Sequence, residues 1–211
     1  MAPAVQADQD MTPSMVLALP ARAQMSPFAD GCRAAALDFV NRVSVRADKH
    51  TLAQWLRGPY CRHVVALSPM RTRKVDSSGL LRGALERLMV NARQQVSEAI
   101  LAARDPGDGV AFGYSALAAG HVYRSRDSDG LEGWVPVSHP RMRLVDRVLS
   151  LVAADYLFRS DDYENALFAC VRCENLVFDA SRAEGRVCAA HQSDVRELVR
   201  GAVADPERAI A

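Results

Sequence analysis

The sequence predicts an α+β fold in which a helix-rich main domain carries a small β region and a C-terminal metal-binding module. Three observations lead to this prediction. Apolar residues make up 49% of the 211 residues, which is enough for a hydrophobic core. Apolar side chains recur at helical spacing in several long segments. Cysteine and histidine residues cluster near the C-terminus at the spacing of metal ligands.

Composition divides the chain into three expected parts. Residues 1–30 are rich in Ala, Pro, Gln and Met without periodicity, which predicts a disordered tail. Residues 31–160 are expected to form the helix-rich α+β domain, and residues 166–205 the metal-binding module. The acidic stretch 161–165 between them is interpreted as a linker.

Helical periodicity predicts three main helices. The first lies within residues 32–50, and Gly58-Pro59 ends the segment that follows it. The second runs from about residue 79 to residue 104, and the third opens at Ser138-His139-Pro140. Their predicted buried stripes are Ala36, Leu37, Val40 and Val43; Leu81, Leu85, Leu88, Ala92, Ala99 and Ala103; and Val145, Val148, Leu149, Val152 and Tyr156.

Short apolar runs predict the β region. Residues 110–114, 121–123 and 133–137 are interpreted as strands, with a polar turn over residues 124–130. Pro136 lacks a backbone N–H group, so it is expected to weaken the last strand or place it at a sheet edge. Residues 64–67 form a further apolar run, interpreted as a strand or the edge of a helix.

The strongest motif is Cys170-Val171-Arg172-Cys173, followed after fourteen residues by Cys188-Ala189-Ala190-His191. Zinc prefers four tetrahedral thiolate and imidazole ligands, and two residues between ligands allow a tight turn to aim both at one point. We therefore predict that Cys170, Cys173, Cys188 and His191 bind one structural Zn2+ ion. No fifth ligand lies nearby in sequence, so the site is expected to be closed.

The residues between and after the ligand pairs support a small zinc fold. The apolar run 176–178 suits a strand, Asp179 can cap a turn, and Gly185 can end it. Ser193 can cap a following helix. The arrangement resembles the treble-clef and zinc-ribbon group over about residues 168–203. The resemblance rests on ligand spacing, and it implies a fold group rather than one activity.

Two other metal or redox hypotheses stay open. The Cys170–Cys173 pair could be a redox site, but a thioredoxin-type motif requires a following helix, and here a strand is predicted. Cys61, His63 and His50 could contribute to a second metal site, although no fourth ligand is evident. We favour ordinary structural roles for these three residues.

Positive charge is concentrated in one part of the chain. Residues 32–104 contain 13 Lys and Arg against 5 Asp and Glu, a net charge of +8 in a chain of net charge +1. The basic segment 57–104 could contact nucleic-acid phosphates, or it could pair with the acidic remainder of the protein. The candidate residues for a nucleic-acid or other anionic partner are Arg71, Arg73, Lys74, Arg82, Arg87 and Arg93.

These patterns favour a non-enzymatic, zinc-stabilised cytoplasmic protein that binds another macromolecule, in the first place a protein. Nucleic-acid binding through residues 57–104 is the main alternative. A further alternative is an enzyme with a site assembled from dispersed residues such as His121 or His139. No apolar run approaches the ~20 residues of a membrane-spanning helix, so we expect no membrane partner.

Overall fold

Helices dominate the part of the chain that the structure describes. The computed structural model describes residues 22–66, 82–126, 132–138, 142–183 and 185–192. The helices are α1 (Arg22–Asp38), α2 (Ser44–Arg46), α3 (Lys49–Trp55), α4 (Arg82–Ala102), α5 (Pro106–Ala118), α6 (Leu144–Phe158) and α7 (Ser160–Ala166). Two π-helical turns cover Phe39–Val43 and Leu56–Tyr60, and two 3₁₀ turns cover Ala180–Arg182 and Ala189–His191. The strands are β1 (Val65–Ala66), β2 (Val122–Arg126), β3 (Glu132–Ser138), β4 (Leu167–Ala169) and β5 (Leu176–Phe178).

The predicted α+β class is confirmed, with a mainly helical body, two small sheets and a C-terminal Cys3His cluster. In the described ranges, no helix combines the length and the apolar character that a membrane crossing requires.

The first predicted helix is longer than expected at its start and broken near its end. Helix α1 already begins at Arg22, so the predicted disordered tail is wrong for residues 22–30, while residues 1–21 lie outside the described residues. The helical run ends at Ala47, which has a left-handed φ of 48°. Asp48 then caps α3 by accepting a 2.7 Å hydrogen bond from the Thr51 N–H group.

Gly58-Pro59 does not end the helical segment where the sequence predicts. A π-helical turn continues to Tyr60, whose side chain is buried and stacks on Trp55 with ring centroids 5.4 Å apart. Pro59 lies inside this turn. Packing of the two aromatic rings therefore stabilises helical backbone beyond Gly58-Pro59, where the sequence predicts that the helix ends.

Residues 110–114, predicted as a strand, lie inside helix α5. Asp105 accepts hydrogen bonds from the N–H groups of Gly107 and Asp108, and Pro106 occupies the first turn. Gly109 and Gly113 are buried and bring α5 close to α6. The strand prediction is wrong because Gly109 and Gly113, four residues apart, place one side of a helix against Tyr156 and Leu157 of α6, and this contact outweighs the local strand preference of Val110 and its aromatic neighbours.

The three-stranded sheet has the order β1-β3-β2. Strands β2 and β3 are antiparallel, with Val122 opposite Pro136, while β1 runs parallel to β3 with Val65 opposite Val137. Pro136 therefore lies in the middle strand, and the predicted edge position is wrong. The Val137 N–H group donates to His121 O, so the Pro136 nitrogen faces the other side, where β1 pairing begins only at Val137.

Helix α4 is confirmed over its described length, but its buried face is turned relative to the predicted stripe. Leu88 was expected to be buried and is 42% exposed. Leu81 lies outside the described residues. The buried residues of this helix are Leu85, Met89, Ala92, Val96 and Ile100, and Ala103, directly after its end, is buried as well.

Helix α6 lies at the centre of the molecule, against α1, α4, α5 and β3. Ser138 ends β3 and the helix begins only at Leu144, so the predicted start at Ser138-His139-Pro140 is wrong. Asp146 fixes the observed start by accepting hydrogen bonds from the backbone and side chain of Arg143. The predicted stripe is buried at Val145, Val148, Val152 and Tyr156, with Leu149 half-buried.

The predicted acidic linker over residues 161–165 is helix α7. Tyr163 orders it: the side chain is buried, with its ring edge-on to Tyr156 at 5.1 Å and to Phe178 at 4.8 Å. The acidic residues on either side of Tyr163 are exposed or half-buried. A single buried aromatic residue in a polar stretch therefore converts the expected linker into a packed helix.

Candidate metal centre

The side chains of Cys170, Cys173, Cys188 and His191 converge on one point. Their ligand atoms all lie within 4.8 Å of one another. The sulfur atoms of Cys173 and Cys188 are 3.8 Å apart, and His191 Nδ1 lies 3.8 Å from Cys170 Sγ and 3.1 Å from Cys188 Sγ. Tetrahedral zinc with Zn–S bonds of ~2.3 Å requires sulfur pairs ~3.8 Å apart, so the donor set fits a zinc ion.

The first ligand pair lies at the tip of a two-stranded hairpin. Strands β4 and β5 are antiparallel, with Ala169 opposite Leu176. The turn between them closes through hydrogen bonds from Cys170 N to Asn175 O (2.9 Å) and from Glu174 N to Cys170 O (2.8 Å). Glu174 has a left-handed φ of 59°, which reverses the chain directly after Cys173.

The second ligand pair is carried by a short 3₁₀ turn, Ala189–His191, which Cys188 precedes. Its approach is fixed by a 3.0 Å hydrogen bond from Val171 N to Arg186 O, which joins the loops of the two pairs. Asp179 caps the turn after β5, as predicted. The left-handed residue near the end of this connection is Arg186 (φ 47°) rather than Gly185, and the predicted helix from Ser193 lies outside the described residues.

Backbone N–H groups favour the thiolate form of Cys170. Burial raises the pKa of this thiol, but N–H groups of Cys188, Arg172 and Cys173 outweigh burial and lower the pKa to about 6. Cys188 N lies 3.4 Å from Cys170 Sγ. Burial raises the pKa of Cys173, and its neighbours Cys170 and Cys188 add to the rise. A thiolate is the form of cysteine that binds metal, so Cys170 is preorganised as a ligand.

The ligand cluster is largely enclosed by the protein. Cys170 and Cys188 are buried, whereas Cys173 and His191 are half-buried. The CxxC turn is followed by β5 rather than by a helix, so the strand–helix setting of thioredoxin-type redox motifs is not present here. This context favours a metal site over a redox pair.

The hairpin is attached to the helical body by polar and aromatic contacts. Asn41 exchanges two hydrogen bonds of 2.9 Å with the backbone of Leu176. The Arg33 guanidinium lies over the Phe178 ring, 4.2 Å from its centroid. Leu167 and Leu176 belong to the same hydrophobic core as α1, α4 and α6. The candidate metal centre is therefore continuous with the main core.

The chain matches no protein-family model and no curated protein. The zinc-ribbon and treble-clef resemblance therefore rests on the ligand spacing and on the geometry of the cluster alone. Any statement about activity has to come from the residues of the site and of the surfaces beside it.

An open groove of about 730 Å3 lies between the hairpin and the helices. One wall comes from Ala169, Glu174 and Leu176 of the hairpin, and the others come from the end of the first helical run and from α4. The helical lining residues are Ser44, Val45, Arg46, Ala47, Glu86, Val90, Arg93, Gln94, Ser97 and Leu101. The position of the hairpin thus determines the width of this groove.

The second metal site considered from the sequence does not form. His50 Nε2 lies 2.8 Å from the Gln54 side-chain amide, and His63 Nδ1 lies 2.8 Å from Pro59 O. The His63 ring packs against Gly31, where an added Cβ would lie 2.0 Å from Nε2. Cys61 is exposed. Across the described ranges, the Cys3His set is the only cluster of three or more metal-ligand side chains.

The other candidate residues are dispersed. Arg71, Arg73 and Lys74 lie outside the described residues, as does His139. Arg82 begins α4, where Arg87 is exposed and Arg93 lines the groove. His121 is half-buried between α5 and β2. Of the described candidates, only Arg93 lines the groove, together with the acidic residues Glu86 and Glu174.

Proposed function

We propose that this is a cytoplasmic, non-enzymatic binding protein in which one structural zinc ion holds the hairpin in place as a wall of the groove. A segment of a protein partner would occupy that groove. The observation that carries the proposal is that the hairpin bearing Cys170 and Cys173 also supplies three groove residues, Ala169, Glu174 and Leu176.

A structural role for zinc is supported by the ligand set. Three thiolates and one imidazole complete a tetrahedral shell without an open position for water or substrate. Zinc in such a site contributes folding free energy, which a hairpin with two three-residue strands needs. A cluster of cysteine thiols used as ligands also fits the reducing cytoplasm better than an oxidising compartment.

The lining of the groove favours a polypeptide segment over a nucleic acid. Val45 and Val90 line it and are 59% and 60% exposed, so they offer apolar contacts that a partner can cover. Arg46 and Arg93 are matched by Glu86 and Glu174, which leaves the lining without net charge. Phosphates entering the groove would meet two carboxylates, whereas a peptide with one apolar anchor and mixed charges would be accommodated.

Nucleic-acid binding through residues 57–104 remains the competing proposal. It is supported by the net positive charge of the segment and by the exposed side chains of Arg57, Arg62 and Arg87. If it is correct, affinity for an oligonucleotide falls steeply with salt and is lost when Arg71, Arg73 and Lys74 are all replaced by Glu. The protein proposal expects no such binding at low salt.

The deciding experiment selects ligands from a random-sequence peptide display library on the zinc-loaded full chain. We expect enrichment of peptides that share an apolar anchor, and loss of their binding after zinc chelation. The Val45→Glu variant should also lose binding, because it places a charge on the groove lining. Val110→Glu is the matched control, since Val110 is 53% exposed but lies on α5 away from the groove. The proposal would be refuted if no peptide were enriched, or if the enriched peptides bound all variants equally well.

A further inference from the structure

Strand β4 has two edges, and β5 pairs with one of them. Along an antiparallel pair, residues that bond across the pair alternate with residues whose backbone groups point outwards. The Cys170 N–H group donates to Asn175 O at 2.9 Å, so this pair bonds across the hairpin. Ala169 and Leu176 form the next pair. The N–H and C=O groups of Ala169 therefore point away from β5, towards the other edge of β4.

The outward backbone groups around Ala169 have partners. Leu176, opposite Ala169, bonds to the side-chain amide of Asn41. The Val171 N–H group, two positions further along β4's edge, donates to Arg186 O at 3.0 Å. In the part of the chain that the structure describes, no group bonds to the outward N–H or C=O of Ala169. Half-buried Ala169 thus provides a short free edge at which another strand can pair.

This free edge lies at the groove. Ala169 and Leu176 both line it, and their side chains share one face of the hairpin because the two residues are directly opposite. The helical walls expose Val45 and Val90. A segment that enters the groove therefore meets apolar side chains together with a pair of unbonded backbone groups.

An extended segment fits these features better than a helical one. A helix bonds its own backbone groups internally, so it would leave those of Ala169 without a partner. An extended segment offers backbone groups at its edge, and its side chains alternate between two sides. The groove lining carries two arginines and two glutamates, so its balanced charge favours a segment without a strong net charge.

We propose that the partner's segment binds as an added strand on the free edge of β4. One N–H group of the segment donates to Ala169 O, and the Ala169 N–H group donates to one of the segment's carbonyls. Every second side chain of the segment then faces the groove, where Val45 and Val90 favour apolar residues. This inference rests on the function proposed above and specifies the conformation of the bound segment.

The test replaces single amide N–H groups of the most enriched library peptide by N-methyl groups, one position at a time. Calorimetry measures the affinity of each peptide for the zinc-loaded full chain. We expect a position at which N-methylation weakens binding at least about tenfold, because Ala169 O loses its donor. The adjacent positions are the matched controls. Their N–H groups point away from β4, so N-methylation there should weaken binding less than about threefold.

Amide hydrogen exchange measured by NMR detects the same contact on the protein. Saturating peptide should slow exchange of the Ala169 N–H group at least about tenfold. The Val171 N–H group already bonds to Arg186 O, so its exchange should change much less. Neither measurement changes the protein sequence, so loss of folding cannot imitate the result.

Failure of this inference can be distinguished from failure of the proposed function. Suppose that Val45→Glu abolishes peptide binding, but every N-methyl position is tolerated or Ala169 exchange is unchanged. The added strand is then refuted, while peptide binding in the groove stands. If no peptide is enriched, both proposals fail. Protection of Ala169 that grows with protein concentration in the absence of peptide would show that a second copy covers the edge, and would also overturn the inference.

Discussion

The side-chain amide of Asn41 and the backbone of Leu176 form a closed pair of hydrogen bonds. Asn41 Nδ2 donates to Leu176 O at 2.9 Å, and Leu176 N donates to Asn41 Oδ1 at 2.9 Å. Because Cys170 N bonds to Asn175 O, the backbone groups of Leu176 point away from β4. Asn41, presented by the π-helical turn Phe39–Val43, therefore takes the place of a neighbouring strand.

Replacing Asn41 by Ala should loosen the attachment of the hairpin. Both backbone groups of Leu176 lose their partner in a half-buried position, so we expect the free energy of unfolding to fall by ~2 kcal/mol. Asn165→Ala is the control, because Asn165 is exposed and its amide bonds only within α7. Its effect should stay within ~0.5 kcal/mol. Equal denaturation midpoints for the two variants would contradict the role given to Asn41.

Metal content should depend on the four clustered ligands and not on cysteine in general. We expect about one zinc ion per chain, lost in Cys170→Ser and in Cys188→Ala. Cys61→Ser, which removes an exposed thiol outside the cluster, should keep the metal. Elemental analysis of protein purified without added metal measures this. Zinc retained by Cys188→Ala, or lost from Cys61→Ser, would contradict the assignment.

The same variants should also change protease sensitivity. Without the metal the loop after β5 is expected to open, so cleavage near Arg182 should accelerate in Cys170→Ser. The helices should remain largely formed, since their core residues lie on α1, α4 and α6. Leu167 and Leu176 belong to that core, so the variant should also lose some overall stability. An unchanged cleavage pattern would count against a structural metal.

The spacing of residues in the sequence correctly predicted those parts of the molecule that form through contacts between residues close in sequence. The zinc ligands lie within 22 positions of one another in the sequence, and helix α4 follows its periodic pattern. The orientation of α4 was predicted only approximately, since Leu88 is 42% exposed and Met89 is buried. A shift of one residue turns a helix by about 100°, and only the neighbouring helices decide which side is covered.

Long-range contacts explain what the sequence did not reveal. Helix α7 depends on Tyr163 packing against Phe178, and Asn41 pairs with a residue 135 positions away. Helix α5 depends on glycines that fit against Tyr156 on another helix. A short stretch of sequence shows neither the distant residue that Tyr163 packs against nor the close contact between α5 and Tyr156. Composition alone therefore predicted a linker in place of α7 and a strand in place of part of α5.

Asp155 is a buried carboxylate that joins α1, α6 and α7. It is 0% exposed and accepts hydrogen bonds from Arg33 Nε at 2.7 Å, from Arg159 at 2.6 Å and from the Tyr163 hydroxyl at 2.8 Å. Asp155→Asn removes the buried charge that faces both guanidinium groups, while Arg33 keeps its ion pair with Asp162 and Arg159 keeps its ion pair with Asp30, so we expect a loss of ~2–3 kcal/mol in unfolding free energy. Asp162→Asn is the control, because Asp162 is 43% exposed and should cost less than ~1 kcal/mol. Similar losses for the two would argue against this network.

Tyr163 should make the protein less stable in alkali. Burial, with a contribution from Asp155, raises the pKa of this hydroxyl well above 10. Above pH 10 the unfolded chain releases a proton that the folded protein keeps. The stabilisation is therefore complete below pH 10 and decreases above it, by up to ~1.4 kcal/mol per pH unit.

The Tyr163→Phe variant isolates this effect. It lacks the hydrogen bond to Asp155, so it should be less stable near neutral pH by ~1–2 kcal/mol. That difference should shrink between about pH 8 and about pH 11, because only the unmodified chain carries the shifted hydroxyl. Tyr114→Phe alters an exposed residue, and its effect should stay within ~0.5 kcal/mol at either pH. A constant difference for Tyr163→Phe across this range would contradict the prediction.

Gly109 allows helix α5 to lie directly against Tyr156. A Cβ atom at Gly109 would be 2.2 Å from the Tyr156 hydroxyl oxygen and 2.6 Å from its Cζ. The Tyr156 ring cannot move easily, because it packs edge-on against both Phe112 and Tyr163. Gly109→Ala should therefore cost ~1–3 kcal/mol through overpacking, partly offset by the ~1 kcal/mol that alanine gains over glycine in a helix.

Gly83→Ala is the matched control, since Gly83 lies in α4 and an added Cβ would meet only Arg87, at 3.9 Å. It should be neutral or stabilising by up to ~1 kcal/mol. Adding Tyr156→Phe to Gly109→Ala removes the closest oxygen but leaves Cζ in place, so it should restore only part of the loss. Thermal or chemical denaturation of the variants measures these differences. If Gly109→Ala proved as stable as Gly83→Ala, the close α5–α6 contact would not be the reason for glycine at this position.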